Sequence, residues 1–294
     1  MNTISVKLSK KEINDLYTRY PNKKIAKTPP YALYQFKLSD CTITAYESGK
    51  VVFQGDSAPL HSSAYGGGNE SKQVKSKPTN KVNYPHIGSD EVGTGDYYGP
   101  VCVCATYVEE KDLSLLQELK IQDSKQVNDA YILKIAPILM EQIPHSLLIL
   151  SNELYNQIHI NNNMNQIKAK LHNKAYLNLI KKLGNQPKTI YLDQFTPESL
   201  YFRYLNGEQE IVRNIHFETK AENKYIGVAC GSIIARYAFL KAMEDMETRY
   251  KFIFPKGAGK AVDQSIKDFV TKFSKEELTF VAKTHFVNTK KALD

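Results

Sequence analysis

Three features of the sequence predict a two-domain α/β protein, with a small α+β module followed by a larger domain built on a mixed sheet flanked by helices. Beyond residue 85, short apolar runs of strand length alternate with long amphipathic helical repeats, the pattern of a sheet covered by helices. Residues 1–65 instead carry a strand, a helix and three further short runs divided by turn residues. Between the two, residues 66–81 are rich in Gly, Lys and polar side chains and nearly free of hydrophobics, as a linker is. The expected boundaries are therefore an N-terminal domain over 1–65, a basic flexible linker over 66–84 and the main domain over 85–294. A chain of 294 residues with 42% hydrophobic content has ample material for a core.

In the N-terminal module, residues 3–8 alternate as a strand, and Ser9 caps a helix over 10–20 that turns Ile13, Leu16 and Tyr17 inward. Pro29-Pro30 breaks the chain before runs at 31–38, 41–46 and 51–53, which are separated by Ser39-Asp40 and by residues 47–50. Residues 56–61 make a poor helix, so a second helix is not expected there.

In the larger domain, 87–92 and 101–108 predict strands joined through a glycine-rich turn. Asp123-Ser124 offers a cap for a helix running to about residue 143. Another strand follows at 146–150. Asn163 opens a helix whose Ile167, Leu171, Ala175, Leu179 and Leu183 recur at i+4 until Gly184 stops it. Lys168, Lys170, Lys174, Lys181 and Lys182 lie off that stripe and are expected to be solvated. Residues 188–192 predict a strand ending at Asp193, and 211–217 one more. Residues 221–250 predict a long helix, with further helices at 262–273 and 275–282.

The composition narrows the functional classes. The opening residues lack a signal h-region, and no unbroken apolar run approaches the roughly 18 residues of a bilayer span, so no membrane role is expected. Cys41, Cys102, Cys104 and Cys230 form no C-x-x-C pair, and the histidines show no zinc spacing, which predicts reduced thiols, a cytoplasmic setting and no structural zinc. Lys and Arg number 39 against 31 Asp and Glu, and the excess is uneven: residues 1–65 hold 9 basic and 5 acidic side chains, 66–84 hold 4 and 1, and 85–294 hold 26 and 25. A basic module tethered to a near-neutral domain suits a polyanionic partner, although the same charge also serves solubility.

The densest chemistry lies in Gly88-Ser89-Asp90-Glu91-Val92-Gly93-Thr94-Gly95-Asp96-Tyr97-Tyr98-Gly99-Pro100. It is not a dinucleotide fingerprint, since Tyr98 stands at the third glycine position and a strand follows. Gly257-Ala258-Gly259-Lys260 fails as a P-loop, because Phe254 occupies the first glycine position and Ala261 replaces the Ser/Thr. Asp90 and Glu91 end one predicted strand, and Asp193 ends another. Glu222 either joins them or closes a capping box with Thr219. Four carboxylates without His or Cys suit Mg²⁺ or Mn²⁺, one or two ions, and two such ions support in-line phosphodiester hydrolysis.

The run from Asp90 to Pro100 closely resembles the signature of type III ribonuclease H, a branch of the type II-like ribonucleases H. Similarity continues at Asp123-Ser124-Lys125, Tyr191-Leu192-Asp193, residues 219–236, residues 255–260 and residues 285–289. The resemblance implies a ribonuclease H-like fold and metal-dependent endonucleolytic cleavage of the RNA strand of RNA/DNA hybrids, leaving 5′-phosphate and 3′-hydroxyl ends. It matches Asp90, Glu91, Asp193 and Glu222 to the catalytic, metal-holding acids, the fourth being usually Asp in type II enzymes. It implies that Gly93-Thr94-Gly95 reads the ribose and that the N-terminal domain is similar to half of the TATA-box-binding protein fold and holds substrate. Ser124 and Lys125 are candidate phosphate contacts, although Asp123-Ser124 also suits an N-cap and Lys125 a solvated position. The expected partner is thus an RNA/DNA hybrid, bound by a monomer. A noncatalytic binding module and a different two-metal nuclease are the competing readings.

Overall fold

Strand β1 (Asn2–Lys7) opens a four-stranded antiparallel sheet of order β1-β4-β3-β2, completed by β2 (Ala32–Lys37), β3 (Cys41–Tyr46) and β4 (Lys50–Gly55). The computed structural model describes all residues except 1, 21–22, 26–27, 30, 64, 66–81, 123–126, 186 and 294. Of the expected linker, only residues 82–84 fall within the described part. Contacts divide the chain into two compact units, Met1–Asn80 and Lys81–Asp294.

In the first unit, helix α1 (Lys10–Arg19) starts on a capping box: the Glu12 N–H donates to Ser9 Oγ at 3.3 Å, and the Ser9 N–H donates to Glu12 Oε2 at 2.8 Å. Its buried Ile13 and Leu16 pack on Phe36, Ile43, Val51 and Phe53 of the sheet. Tyr17 is exposed rather than inward-facing. Helix α2 (Ala58–Ser62) forms where its composition argued against one. Tertiary packing overrides weak propensity here, since Ala58 and Ser62 are fully buried and Tyr20 Oη meets His61 Nδ1 at 3.2 Å.

The second unit is a five-stranded sheet of order β7-β6-β5-β8-β9, with β5 (His86–Val92), β6 (Val101–Val108), β7 (His145–Leu150), β8 (Thr189–Asp193) and β9 (Ile215–Glu218). β6 pairs antiparallel with β5 and β7, while β8 pairs parallel with β5 and β9. Helices α3 (Leu113–Glu118), α4 (Asp129–Gln142), α5 (Asn152–His159), α6 (Met164–Leu183) and α7 (Glu198–Tyr204) precede the long α8 (Ile226–Tyr250). Then come α9 (Lys260–Lys272), α10 (Leu278–Val281) and α11 (Val287–Leu293). The sheet has two covered faces: α4, α8 and α9 pack with Cys102, Cys104 and Val108 on one, and α6 and α7 with Ile87, Val103, Ala105, Ile190 and Leu192 on the other.

Several expected boundaries shift for identifiable reasons. α4 begins at Asp129 because Asn128 is its cap, its Oδ1 accepting from the Tyr131 N–H at 2.9 Å; the expected Asp123-Ser124 cap lies outside the described residues. The helix predicted over 221–250 is two pieces, a 3-10 turn at Ala221–Asn223 and then α8. An extended Tyr225 interrupts it. Among the described residues one helix, α8, is long and apolar enough to cross a membrane, but Arg236 and Lys241 break its apolar run and it is a largely buried core helix.

β5 and α8 approach backbone to backbone. A Cβ on Gly88 would lie 2.2 Å from the Val228 nitrogen, and one on Gly231 2.7 Å from the Cys104 carbonyl oxygen. The loop from Gly93 to Pro100 is equally fixed. Gly93 has φ +95, and a Cβ there would sit 2.1 Å from the Pro100 oxygen. The Tyr97 N–H donates to the Gly257 oxygen at 2.8 Å, the Gly257 N–H to Asp96 Oδ1 at 2.6 Å, and the Lys283 N–H to the Tyr97 oxygen at 2.8 Å. Tyr97 and Tyr98 are fully buried core residues, the first meeting Thr289 Oγ1 at 2.9 Å. Lys283, also fully buried, donates through Nζ to the Gly99 oxygen, and burial depresses its pKa to about 7.

Two predictions follow from this packing. Gly88→Ala forces two backbones apart and should cost roughly 3 kcal/mol or more in urea unfolding, whereas Gly95→Ala, with nothing within 4 Å of the added Cβ, should cost under about 1 kcal/mol. Lys283 titrates near 7 when folded and near 10.4 when unfolded, so between those values the unfolded chain holds the extra proton and stability falls as pH falls. Unfolding of Lys283→Met beside wild type should therefore favour the variant progressively more from about pH 10 down to pH 7 and no further below; a pH-independent difference contradicts this.

Candidate active site

Successive residues of a strand point to opposite faces, and at the end of β5 this separates the two adjacent acids. Ile87, Ser89 and Glu91 face α6, while His86, Gly88 and Asp90 face α8. On neighbouring β8, Ile190 and Leu192 belong to the α6 side, and Tyr191 packs with Tyr225 and Val228 on the α8 side. Asp193 follows Tyr191 by two and shares its face. Since Ser89 stands opposite Leu192 in the parallel register, Asp90 and Asp193 occupy the next position of each strand on one side of the sheet.

Asp90 is enclosed by β5 and α8. Its Oδ1 accepts from the Glu91 N–H at 2.7 Å, and it is hydrogen-bonded to the side chain of Ser232 in the second turn of α8. Burial, then the charge of Glu91 and more weakly that of Asp193, outweigh these bonds and push the Asp90 carboxyl up to about 8. Asp193 Oδ1 accepts from the Ala221 N–H at 2.9 Å, which ties the end of β8 to the 3-10 turn carrying Glu222. The capping box considered for Glu222 does not form: its Oε1 accepts from Asn223 Nδ2 at 2.9 Å, and Lys220 makes no side-chain cap. Glu222, Asn223, Ser232 and Gln122 line a cleft of about 180 Å³, so the partner of Asp90 and the fourth acid border one space.

Glu91 lies in a different environment. Both carboxylate oxygens are engaged, Oε1 by Lys168 Nζ and Oε2 by His172 Nε2 at 2.9 Å. Although burial opposes it, the hydrogen bond and charge of His172 together with Lys168 hold Glu91 below the usual carboxylate range. Lys168 is only 7% exposed, contrary to the expectation that it is solvated, because its ammonium sits on Glu91 and 3.8 Å over the Phe195 ring. Sequence reasoning missed this group. Its signal was Lys168, His172 and Tyr176 at i+4 steps, a polar stripe beside the apolar one on α6.

The structure thus sets Asp90 and Asp193 on the α8 side of the strand ends, with Glu222 on the adjoining 3-10 turn and Glu91 turned to the α6 side. Among the described residues no three His, Cys, Asp or Glu side chains stand close enough to form a ready metal cage. The donor set nevertheless fits a hard divalent ion in kind: the acids supply oxygen alone, and Asp90 is a buried carboxyl with no cation beside it among the described residues. Gly93, Thr94 and Gly95 directly follow β5. Gly93 is buried by demand of the packing, while Gly95 is exposed and faces open space. Ser124 and Lys125 lie outside the described residues.

Comparison with known proteins places this geometry. Residues 87–289 match the family model for Ribonuclease HII, and residues 3–78 match a model described as a domain of unknown function. A ribonuclease HIII of Bacillus mycoides (strain KBAB4) is 40% identical over 304 positions, covering 99% of this chain and 97% of that one. One of Bacillus cereus (strain ZK / E33L) is 39% identical over 99% of this chain and 98% of its own. The crystal structure of Bst-RNase HIII in complex with Mn²⁺ aligns with a TM-score of 0.71 at 36% identity, over 99% of this chain and 98% of that one. Because the match runs through both compact units, and in the second from β5 into α11, the chain belongs to the ribonuclease HII family, in its ribonuclease HIII branch.

Proposed function

We propose that this protein is an endoribonuclease that hydrolyses the RNA strand of RNA/DNA hybrids with Mg²⁺ or Mn²⁺, leaving 5′-phosphate and 3′-hydroxyl ends. The observation that carries the proposal is the pair of strand ends that sets Asp90 and Asp193 on one face, beside the Glu222 cleft and the glycine loop, in a chain of the ribonuclease HIII branch. Asp90, Glu91, Asp193 and Glu222 would hold one or two ions. Such ions supply an activated water and neutralise charge developing at the phosphodiester. The protein's own contribution is orientation: Ser232 and the Glu91 N–H fix Asp90, the Ala221 N–H fixes Asp193, and Lys168 and His172 hold Glu91 ionised.

Specificity for RNA requires a group that senses the 2′-hydroxyl, and backbone at a glycine can approach it without an intervening side chain. Gly93-Thr94-Gly95 fills that role, with Gly95 leaving open the space a Cβ would take. Ser124 and Lys125 are assigned to phosphate. Residues 1–65 act as a substrate-binding domain, preceding a basic linker over 66–84 and the catalytic domain over 85–294. Its sheet supports this role: α1 covers one face, while Thr3, Ser5, Gln35, Lys37, Thr42 and Gln54 alternate onto the other, none of them fully buried. Four buried cysteines without disulfides suit the cytoplasm as the setting, and the enzyme works as a monomer.

The proposal is tested with end-labelled RNA/DNA hybrid, all-RNA and all-DNA duplexes in Mg²⁺ or Mn²⁺. Wild type should cut only the hybrid, at internal positions, and a 2′-deoxy residue at the scissile position should block that cut. Asp193→Asn should lower cleavage by about 10³-fold or more while hybrid affinity changes less than about threefold. Cutting of all-DNA duplex, or full activity in Asp193→Asn, contradicts the assignment. Removing residues 1–80, which carry most of the net positive charge, should weaken hybrid binding and flatten the slope of log affinity against log salt; an unchanged slope contradicts the substrate-binding role.

A further inference from the structure

The polar chain behind Glu91 is longer than a structural ion pair needs. His172 is fully buried; its Nε2 meets Glu91 Oε2 at 2.9 Å and its Nδ1 meets Ser89 Oγ at 2.8 Å. Ser89 Oγ in turn meets the Tyr176 hydroxyl, and both residues are fully buried. Phe195, two residues beyond Asp193, stacks on the imidazole with ring centroids 5.7 Å apart and also carries Lys168 on its face. Each hydrogen bond of this chain needs one proton. The order in which every hydroxyl donates once runs from Tyr176 O–H to Ser89 Oγ, from Ser89 O–H to His172 Nδ1, and from His172 Nε2–H to Glu91. The ring is thereby fixed in tautomer and in plane, and it presents a single N–H to the carboxylate.

Burying three polar side chains in an otherwise apolar face costs free energy unless every member is satisfied, and an aliphatic helix would cover Ser89 with fewer constraints. What the chain provides is a carboxylate whose two oxygens are held in fixed directions by groups from one rigid helix, α6. Resting on the reading of Glu91 as a metal-holding acid, we infer that His172 is a positioning residue for Glu91, kept in orientation by Ser89 and Tyr176, and that this orientation sets the affinity of the acidic site for its divalent ion.

The test measures Mn²⁺ affinity by electron paramagnetic resonance of the free ion, beside hybrid affinity, kcat and KM, in the full-length protein. His172→Leu should weaken Mn²⁺ binding about tenfold and lower kcat, with KM for hybrid within about twofold of wild type. His172→Gln, whose amide nitrogen reaches toward Glu91 as Nε2 does, should recover most of the loss. His172→Asn, whose amide matches Nδ1 and faces Ser89, should not. Tyr176→Phe should weaken Mn²⁺ about threefold in the wild-type background and add nothing to His172→Leu. If His172→Leu fails to fold, the Gln and Asn pair decides, and equal Mn²⁺ affinities in those two overturn the inference. Mn²⁺ affinity within twofold of wild type in a folded His172→Leu also overturns it, as does an undiminished Tyr176→Phe effect in that background. Asp193→Asn separates the two levels of the argument. If that variant neither weakens Mn²⁺ binding nor stops cleavage, the acidic-site reading fails; if it does both while His172→Leu does neither, only the positioning role fails.

Discussion

The contact between β5 and α8 is the constraint on which the rest of the second unit depends. Gly88 lies against the backbone at Val228 and Gly231 against the Cys104 oxygen of β6, so helix and sheet touch there with no side chain between them, while Gly227 makes room for the His86 ring. Any larger residue at these positions moves α8 outward, and Ser232 with it. Ser232 adjoins Gly231 and bonds Asp90, so the glycine contact also sets where that carboxyl is held. The same approach carries the 3-10 turn before α8 to the end of β8, where the Ala221 N–H meets Asp193.

A second consequence comes from the two-residue period of the strand. Asp90 and Glu91 are neighbours in sequence but meet different helices, and their titration separates accordingly. On the α8 face Asp90 has, among the described residues, neutral donors and two like charges nearby, and its pKa rises to about 8. On the α6 face Glu91 has Lys168 and His172 and stays below the ordinary range. Two carboxylates of one dipeptide therefore differ in kind: one has cationic partners within the fold, and the other, among the described residues, does not.

Most of this architecture was legible in the sequence, and the failures have physical causes. The strands from β5 to β8 and the helix α6, with its Asn163 cap and Gly184 stop, follow from apolar period and caps. The acids at the strand ends were equally visible, because an apolar run leading into a carboxylate needs no tertiary information. Helices α3, α5, α7 and α11 span eight residues or fewer, too short for periodicity to register. The break between Ala221 and Ile226 was invisible because it arises from a bond to Asp193, 28 positions away. Lys168 was misread for a related reason: its environment is built by Glu91 and Phe195, which lie far from it in sequence.

Two of the segments of family resemblance, residues 255–260 and 285–289, reach the Gly93–Gly99 loop, and Lys283 joins them there. Gly257 bonds the backbone and side chain of the Gly93–Gly99 turn, Lys283 bonds both Tyr97 and Gly99, and Thr289 meets Tyr97. A loop so tied cannot be shaped by its own glycines alone. Gly93 and Gly99, both at positive φ, are required by the surrounding atoms, whereas Gly95 is not. The absence of a side chain at Gly95 is thus the one feature of the turn that packing leaves unexplained, and it is the feature a close-approaching sugar requires. Charge distribution completes the argument: with 26 basic and 25 acidic residues and carboxylates concentrated at the site, residues 85–294 have little net attraction for a polyanion. In the proposed function the first 84 residues, with 13 basic and 6 acidic side chains, are the larger source of net attraction for a nucleic acid, and chemistry belongs to the rest of the chain.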